Sequence, residues 1–140
     1  MKYYTIFIAA FLFNICSISA ATNIESGDIC TYETRAGEDT SRIIILKVED
    51  NIVHISIESV SIKNPESNTG ISERISHLPF YRKFLIKSKI KCSEKTDEIP
   101  TFSRGYKKWL KAKAKGTASP FRMPIKDALD MIEKMLSKQK

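Results

Sequence analysis

Residues 42–62 constrain the fold more than any other part of the chain, because their pattern indicates two strands joined by a tight turn. The run Arg-Ile-Ile-Ile-Leu-Lys-Val-Glu is followed by Asp50-Asn51 and then by Ile-Val-His-Ile-Ser-Ile-Glu. Asp and Asn tolerate left-handed backbone conformations, which suits a two-residue hairpin turn. The consecutive apolar residues of the first arm indicate a strand that is central in its sheet or covered on both faces.

The second arm of the hairpin alternates between apolar and polar side chains. Val53, Ile55 and Ile57 fall on one face, and His54, Ser56 and Glu58 fall on the other. A slip of one residue would expose the whole apolar set, so we expect a fixed register. We expect the apolar face to join the core against the final helix, and the polar face to form the outside of the sheet.

The segments after the hairpin predict a mixture of helix and strand. Pro79 suits a first helical turn, so we expect a short helix near residues 80–85 that runs into a strand ending at Cys92. A helix is expected over residues 102–115, with Gly116 as its stop, before a linker or brief edge strand over 118–123. The last helix begins at Pro124, and its apolar stripe comprises Ile125, Ala128, Leu129, Ile132, Met135 and Leu136.

The order of these elements predicts the fold class. With a first strand expected over residues 28–34, strands come first and helices last. This order predicts an α+β domain, in which a small antiparallel sheet of three or more strands packs one face against C-terminal helices.

Residues 1–21 have the pattern of a signal peptide. Lys2 precedes a mostly apolar run over residues 3–15, which is too short to span a bilayer comfortably. Ser19 and Ala21 then fit the small-x-small cleavage rule. Cleavage would leave one domain over residues 22–140, in the periplasm or outside the cell. An uncleaved N-terminal anchor is the alternative.

Export would leave two cysteines in the mature chain, Cys30 and Cys92. An even number of cysteines in an oxidising compartment predicts a disulfide, with two separate buried thiols as the alternative. The long loop between them would make the cross-link worth about 4 kcal/mol on the chain-entropy model. A redox activity is not expected, because the sequence lacks a Cys-x-x-Cys motif.

The net charge of +7 hides an uneven division. Residues 22–80 carry 5 Lys/Arg and 10 Asp/Glu, whereas residues 81–140 carry 17 Lys/Arg and 6 Asp/Glu. The two halves can neutralise each other, or the basic excess can face an anionic partner. For an exported monomer we expect that partner to be an anionic envelope surface or another protein, and we expect no nucleic acid.

The lysine-rich helix is the candidate surface for such a partner. Lys107, Lys108, Lys111 and Lys115 share one face and could dock on phosphate head groups, with Tyr106 and Trp109 at the interface. The alternative is an ordinary amphipathic helix with its aromatic residues in the core.

The two histidines are the candidates for chemistry. His54 projects on the same face as Glu58, and with His77 the pair could supply a general base or part of a metal site. The ordinary interpretation is a half-exposed sheet histidine and a loop histidine. Metal-ligand, nucleophile, phosphate-loop and dinucleotide motifs are absent from the sequence, so we expect no metal and no cofactor.

Several fragments in order resemble one family. They are Gly27-Asp28, Tyr32-Glu33-Thr34-Arg35, Val53-His54-Ile55, Lys63-Asn64-Pro65, His77-Leu78-Pro79-Phe80 and Gly105-Tyr106-x-x-Trp109. Together they resemble small exported bacterial proteins of uncharacterised activity. The resemblance implies a bacterial source and one compact domain, and it brings no catalytic residues.

The sequence therefore predicts a small exported, non-catalytic binding protein. One alternative is a metal-dependent or acid–base hydrolase that uses His54, Glu58 and His77. Another is an inhibitor or immunity-type protein whose acidic half meets a basic target.

Overall fold

The computed structural model describes residues 23–139, and the predicted signal peptide lies outside this range. Within it, a five-stranded antiparallel sheet has the strand order β4-β3-β2-β1-β5 and is accompanied by three helices. The elements are β1 (Asp28–Thr31), β2 (Arg42–Glu49), β3 (Ile52–Lys63), β4 (Ile71–Tyr81), α1 (Arg82–Ile86), β5 (Lys91–Lys95), α2 (Ser103–Ala114) and α3 (Ile125–Leu136). The predicted α+β class is confirmed.

The predicted hairpin is formed by β2 and β3. Glu49 lies opposite Ile52, so Asp50 and Asn51 alone make the turn, and Asp50 adopts a left-handed φ of 50°. The strand β2 is the middle strand of the sheet. This position agrees with the apolar run, because β2 is paired along both edges and Ile43, Ile45 and Leu46 are buried.

The apolar face of β3 forms the core with the last helix, as predicted. Val53, Ile55 and Ile57 are fully buried and belong to the same cluster as three fully buried residues of α3, Ile125, Ala128 and Leu129. Full burial of each Val, Leu or Ile side chain contributes about 1.5–3 kcal/mol. Met135 was expected in the stripe, but it is 51% exposed, because it lies beyond the part of α3 that packs on the sheet.

The prediction of a helix opening at Pro79 is wrong. The strand β4 continues through Pro79 to Tyr81, and the short helix α1 begins one residue later. An edge strand tolerates proline because the missing N–H would otherwise point away from the sheet. Here β4 is the edge strand, and the Pro79 carbonyl accepts a hydrogen bond from the backbone of Phe121 at 2.9 Å. For residues 118–123 we expected a linker or a brief edge strand, and the structure has a linker in which Phe121 forms an isolated parallel β-bridge with Phe80.

Cys30 and Cys92 form the predicted disulfide. They lie directly opposite each other on β1 and β5, so the bond joins the last strand of the sheet to its neighbour. Both strands are short, and β1 ends at Thr31 rather than at residue 34. The bond therefore holds an edge that few backbone hydrogen bonds secure.

The helix α2 lies on the face of the sheet opposite α3. His54, whose side chain points away from Val53, contacts Tyr106 and Trp109 of α2 with ring centroids 5.1 and 5.0 Å apart. The expectation that the helices cover a single face is therefore wrong. The end of α2 is as predicted: Gly116 has a φ of 71°, and its neighbour Thr117 donates a backbone hydrogen bond to Ala112.

No helix within residues 23–139 has both the length and the apolar character needed to cross a bilayer.

Candidate functional site

Two of the three residues in the polar row of β3, His54 and Ser56, are fully buried, and Glu58 is half-buried. Tyr106 and Trp109 of α2 pack against the ring of His54. The alternation of the strand predicted which side chains share this face. It carried no information about the helix that covers it.

A hydrogen-bonded network runs beneath α2. His54 Nδ1 lies 2.9 Å from His77 Nε2, and His54 Nε2 lies 3.1 Å from a carboxylate oxygen of Glu49. The other oxygen of Glu49 accepts a hydrogen bond from the Tyr106 hydroxyl at 2.6 Å and pairs with Lys47 Nζ at 2.7 Å. The network therefore links two strands of the hairpin, the edge strand β4 and helix α2.

The charge on Glu49 sets the positions of the protons. Hydrogen bonds from Lys47 and then from Tyr106 hold the pKa of Glu49 at about 2, so its carboxylate is ionised and can only accept. His54 must then donate through Nε2, which leaves Nδ1 to accept from the Nε2–H of His77. In this arrangement His77 Nδ1 carries a lone pair, and it has no hydrogen-bond partner among the described residues.

Burial keeps both histidines neutral. Desolvation lowers the pKa of His54 against the opposing effect of Glu49, and desolvation together with the repulsion that a protonated His54 would exert lowers the pKa of His77 to about 4. Two imidazolium rings joined at 2.9 Å would also repel each other strongly. At neutral pH the network thus contains one carboxylate, one ammonium group and two uncharged rings.

We expected Glu58 to be the carboxylate beside His54, but the structure places Glu49 there. Glu58 lies opposite Arg42 in the sheet, and its carboxylate pairs with Arg74 at 2.9 Å. Glu49 takes the place that was expected for Glu58. The signal that would have found it is the hairpin pairing: residues 47 and 49 of the first arm project on the same face as His54, whose own partner across the sheet is Lys47.

The hydrogen-bonded network lies close against helix α2. Within residues 23–139 no group of three or more His, Cys, Asp or Glu side chains is arranged to hold a metal ion. His77 packs against helix α2, where a Cβ atom added to Gly105 would come within 2.9 Å of the His77 Cβ. Chemically, His77 Nδ1 is a weak neutral base that the helix crowds.

Most basic residues of α2 face away from this network, whereas Lys113 lies over the ring of Trp109 at 5.0 Å. Five exposed cations share the outer face and are here called the basic stripe: Arg104, Lys107, Lys108, Lys111 and Lys115. Within residues 23–139, none of them forms a salt bridge. Residues 99–126 contain no Asp or Glu, so nothing on α2 itself can neutralise the stripe.

Tyr106 and Trp109 do not accompany the basic stripe. The indole of Trp109 is 8% exposed and packs edge-on to His54, and the hydroxyl of Tyr106 is held by Glu49 and Lys47. The described structure favours the alternative of an ordinary amphipathic helix, with these two rings packed against the sheet.

The acidic residues of the first half are largely engaged within the domain. Glu25 pairs with Lys95, Glu33 pairs with Lys89 and Lys126, and Glu38 pairs with Arg35. Most of these partners come from the basic second half, which is the internal neutralisation that the sequence allowed. Among the cations left without salt-bridge partners in residues 23–139, the largest group on one element lies on α2.

No protein-family model, curated protein or solved structure matches this chain. The resemblance to small exported bacterial proteins therefore stays a prediction.

Proposed function

We propose that this chain is an exported, non-catalytic binding protein that docks on an anionic lipid surface through the basic stripe of α2. The observation that carries the proposal is the stripe itself: five exposed cations on one helix face, none of them in a salt bridge within residues 23–139. The disulfide and the apolar N-terminal segment support export, because disulfides persist in oxidising compartments.

The stripe is electrostatically unfavourable in the free protein. Like charges at spacings of three and four residues destabilise a helix by about 0.2–0.5 kcal/mol per pair. Lys111 alone has three such neighbours, Lys107, Lys108 and Lys115. An anionic surface would remove this repulsion and add an attraction of about 1 kcal/mol for each lysine near it.

The chemistry of the stripe favours a lipid surface over a defined acidic groove. Four of its five members are lysines, which act as flexible point charges and suit a diffuse layer of phosphates. Leu110, at the margin of the stripe, is 39% exposed and can enter the head-group region. Internal pairing reduces the free negative charge of the acidic half, because Glu25, Glu33 and Glu38 already have partners within the domain.

The surroundings of His54 and His77 support a non-catalytic function. Neither histidine lines any of the three cavities of about 470–500 Å³ on the described part of the surface. The acid–base alternative is favoured only by the hydrogen-bonded chain from Glu49 to His77, and it stays a prediction.

Vesicle co-sedimentation tests the lipid proposal. We expect the disulfide-bonded protein to bind vesicles of phosphatidylglycerol and phosphatidylcholine at low ionic strength and to leave vesicles of phosphatidylcholine alone. The triple variant Lys107→Gln/Lys111→Gln/Lys115→Gln should lose about 3 kcal/mol, which is about a hundredfold in partitioning. Added salt should weaken binding of the wild-type protein.

A matched triple variant controls for net charge. Lys63→Gln/Lys91→Gln/Lys134→Gln removes the same charge from exposed lysines outside α2 that form no salt bridge within residues 23–139. It should retain most of the binding. Equal losses in the two variants would contradict docking through α2, and no binding to anionic vesicles would contradict the lipid surface itself.

A further inference from the structure

A second cationic site lies at another place on the molecule. A cavity of about 490 Å³ is bounded by the hairpin turn, the end of β4 with the start of α1, and the linker between α2 and α3. Its lining residues are Asn51, Tyr81, Arg82, Lys83, Phe84 and Arg122. None of them belongs to the basic stripe.

Backbone hydrogen bonds hold the three walls of this cavity together. The N–H of Arg82 donates to the carbonyl of Asn51 at 2.7 Å, and the N–H of Tyr81 donates to the carbonyl of Phe121 at 3.2 Å. Behind the cavity, the rings of Phe80 and Phe121 pack with their centroids 5.1 Å apart. The cavity is therefore framed by the folded sheet and needs no partner to form.

All the charged residues that line the cavity are positive. Arg82, Lys83 and Arg122 line it without any carboxylate, and within residues 23–139 none of the three forms a salt bridge. Converging guanidinium groups without an acidic partner are the usual means by which proteins recognise carboxylate and phosphate.

Aromatic rings lie beside these cations. The guanidinium of Arg122 lies 5.1 Å from the ring centroid of Tyr81, and the ammonium groups of Lys83 and Lys87 each lie 5.1 Å from that of Phe84. Contacts of this kind restrain long side chains that would otherwise be mobile. They also place flat apolar surface next to positive charge, so the cavity offers two kinds of contact to one ligand.

We propose that this cavity binds a small organic anion that carries a flat ring. The carboxylate or phosphate of the ligand is held by Arg82, Lys83 and Arg122, and its ring lies against Tyr81 and Phe84. The volume is within the range of about 300–1,000 Å³ that small-molecule sites occupy. The site is independent of the lipid-docking stripe, so either proposal can fail without the other.

Titrations followed by backbone amide NMR test the site with four probes: phenyl phosphate, benzoate, inorganic phosphate and benzyl alcohol. We expect shifts at residues 51, 81–84 and 122 with phenyl phosphate, benzoate or both, and dissociation constants of about 1 mM for ligands of this size. Stronger binding of one of these two identifies the anionic group of the natural ligand as phosphate or carboxylate. Inorganic phosphate and benzyl alcohol should bind at least about tenfold more weakly.

Paired variants give the matched control. The double variant Lys83→Gln/Arg122→Gln should bind the preferred probe about tenfold or more weakly, because each substitution removes a charge-assisted contact. Lys107→Gln/Lys111→Gln removes the same charge from the basic stripe and should leave the dissociation constant unchanged. Three results would overturn the proposal: no shifts with either aromatic anion, equal affinity for inorganic phosphate or benzyl alcohol, or equal effects of the two variants.

Discussion

His54 lies in a strand whose side chains are buried on both faces of the sheet. Its backbone continues the strand that carries Val53 and Ile55 into the core, while its ring is fully buried on the other side. A buried imidazole needs partners for both nitrogens, and His54 finds them in Glu49 and His77. The ionised carboxylate of Glu49 thereby fixes the tautomers of both rings.

Acidification from neutral pH to about pH 5 should destabilise the protein through these histidines. The pKa of His77 is lowered to about 4 in the folded state, below the 6.5 of the free side chain, so the unfolded chain binds more protons in this range. The stabilisation is complete above pH 6.5 and is lost as the pH falls towards 4. His77 should account for about 2 kcal/mol of lost stability at about pH 5, measured by urea unfolding.

The variant His77→Gln is the control for this pH dependence. It removes the titrating ring and retains a hydrogen-bond donor, so the slope of stability against pH should become shallower. Histidine NMR signals give an independent reading. A His77 that titrates near its ordinary pKa, or a stability that does not change with pH in this range, would contradict the network.

Helix α2 has an inner and an outer side with different surroundings. Its inner side supplies Tyr106 and Trp109 to the histidine network, and its outer side carries the basic stripe. Two buried polar atoms of this interface, Ser56 Oγ and Trp109 Nε1, have no hydrogen-bond partner among the described residues. Aromatic packing therefore holds the helix on the sheet in spite of incomplete hydrogen bonding.

Gly105→Ala should destabilise the protein, although alanine is the better helix former. A Cβ at this position would lie 2.9 Å from the Cβ of His77, so α2 must move away from β4. We expect the overpacking to outweigh the gain of about 1 kcal/mol in helix propensity and to lower the free energy of unfolding by about 1–2 kcal/mol overall. Thermal or urea unfolding measures the change.

Lys108→Ala on the exposed side of α2 is the control for this substitution. It should alter the free energy of unfolding by less than about 0.5 kcal/mol. The Gly105 variant should also shift the NMR signals of His77, and the control should not. A Gly105→Ala protein more stable than the wild type would show that α2 packs less closely on β4 than described.

Local sequence patterns predicted most helices and strands, whereas they did not predict the contacts between distant segments. Alternation along β3 and the stripe on α3 identified the core face, because periodicity records which side chains share a face. The position of Pro79 depends on β4 being an edge strand, which no local pattern contains. The choice of Glu49 over Glu58 depends on cross-strand pairing, and the burial of His54 depends on where α2 lies.

Across the whole molecule, positive charge is left over after internal pairing. Glu33 forms salt bridges with Lys89 and Lys126, and Glu25 forms one with Lys95. The cations of α2 and of the cavity at Arg122 have no salt-bridge partners within residues 23–139. The disulfide contributes stability at the far edge of the sheet and touches neither surface. The domain is thus a self-contained scaffold with two separate cationic surfaces.

Quenching of Trp109 by brominated lipids shows which side of α2 meets the membrane, because the sequence contains one tryptophan. We expect the protein to bind anionic vesicles through the outer side of α2 while Trp109 stays against His54 on the inner side. Since the body of a helix is about 10 Å across, bromines in the acyl chains should leave the fluorescence of the bound protein unchanged. Strong quenching on binding would contradict the account, because Trp109 would then have left the sheet and entered the membrane.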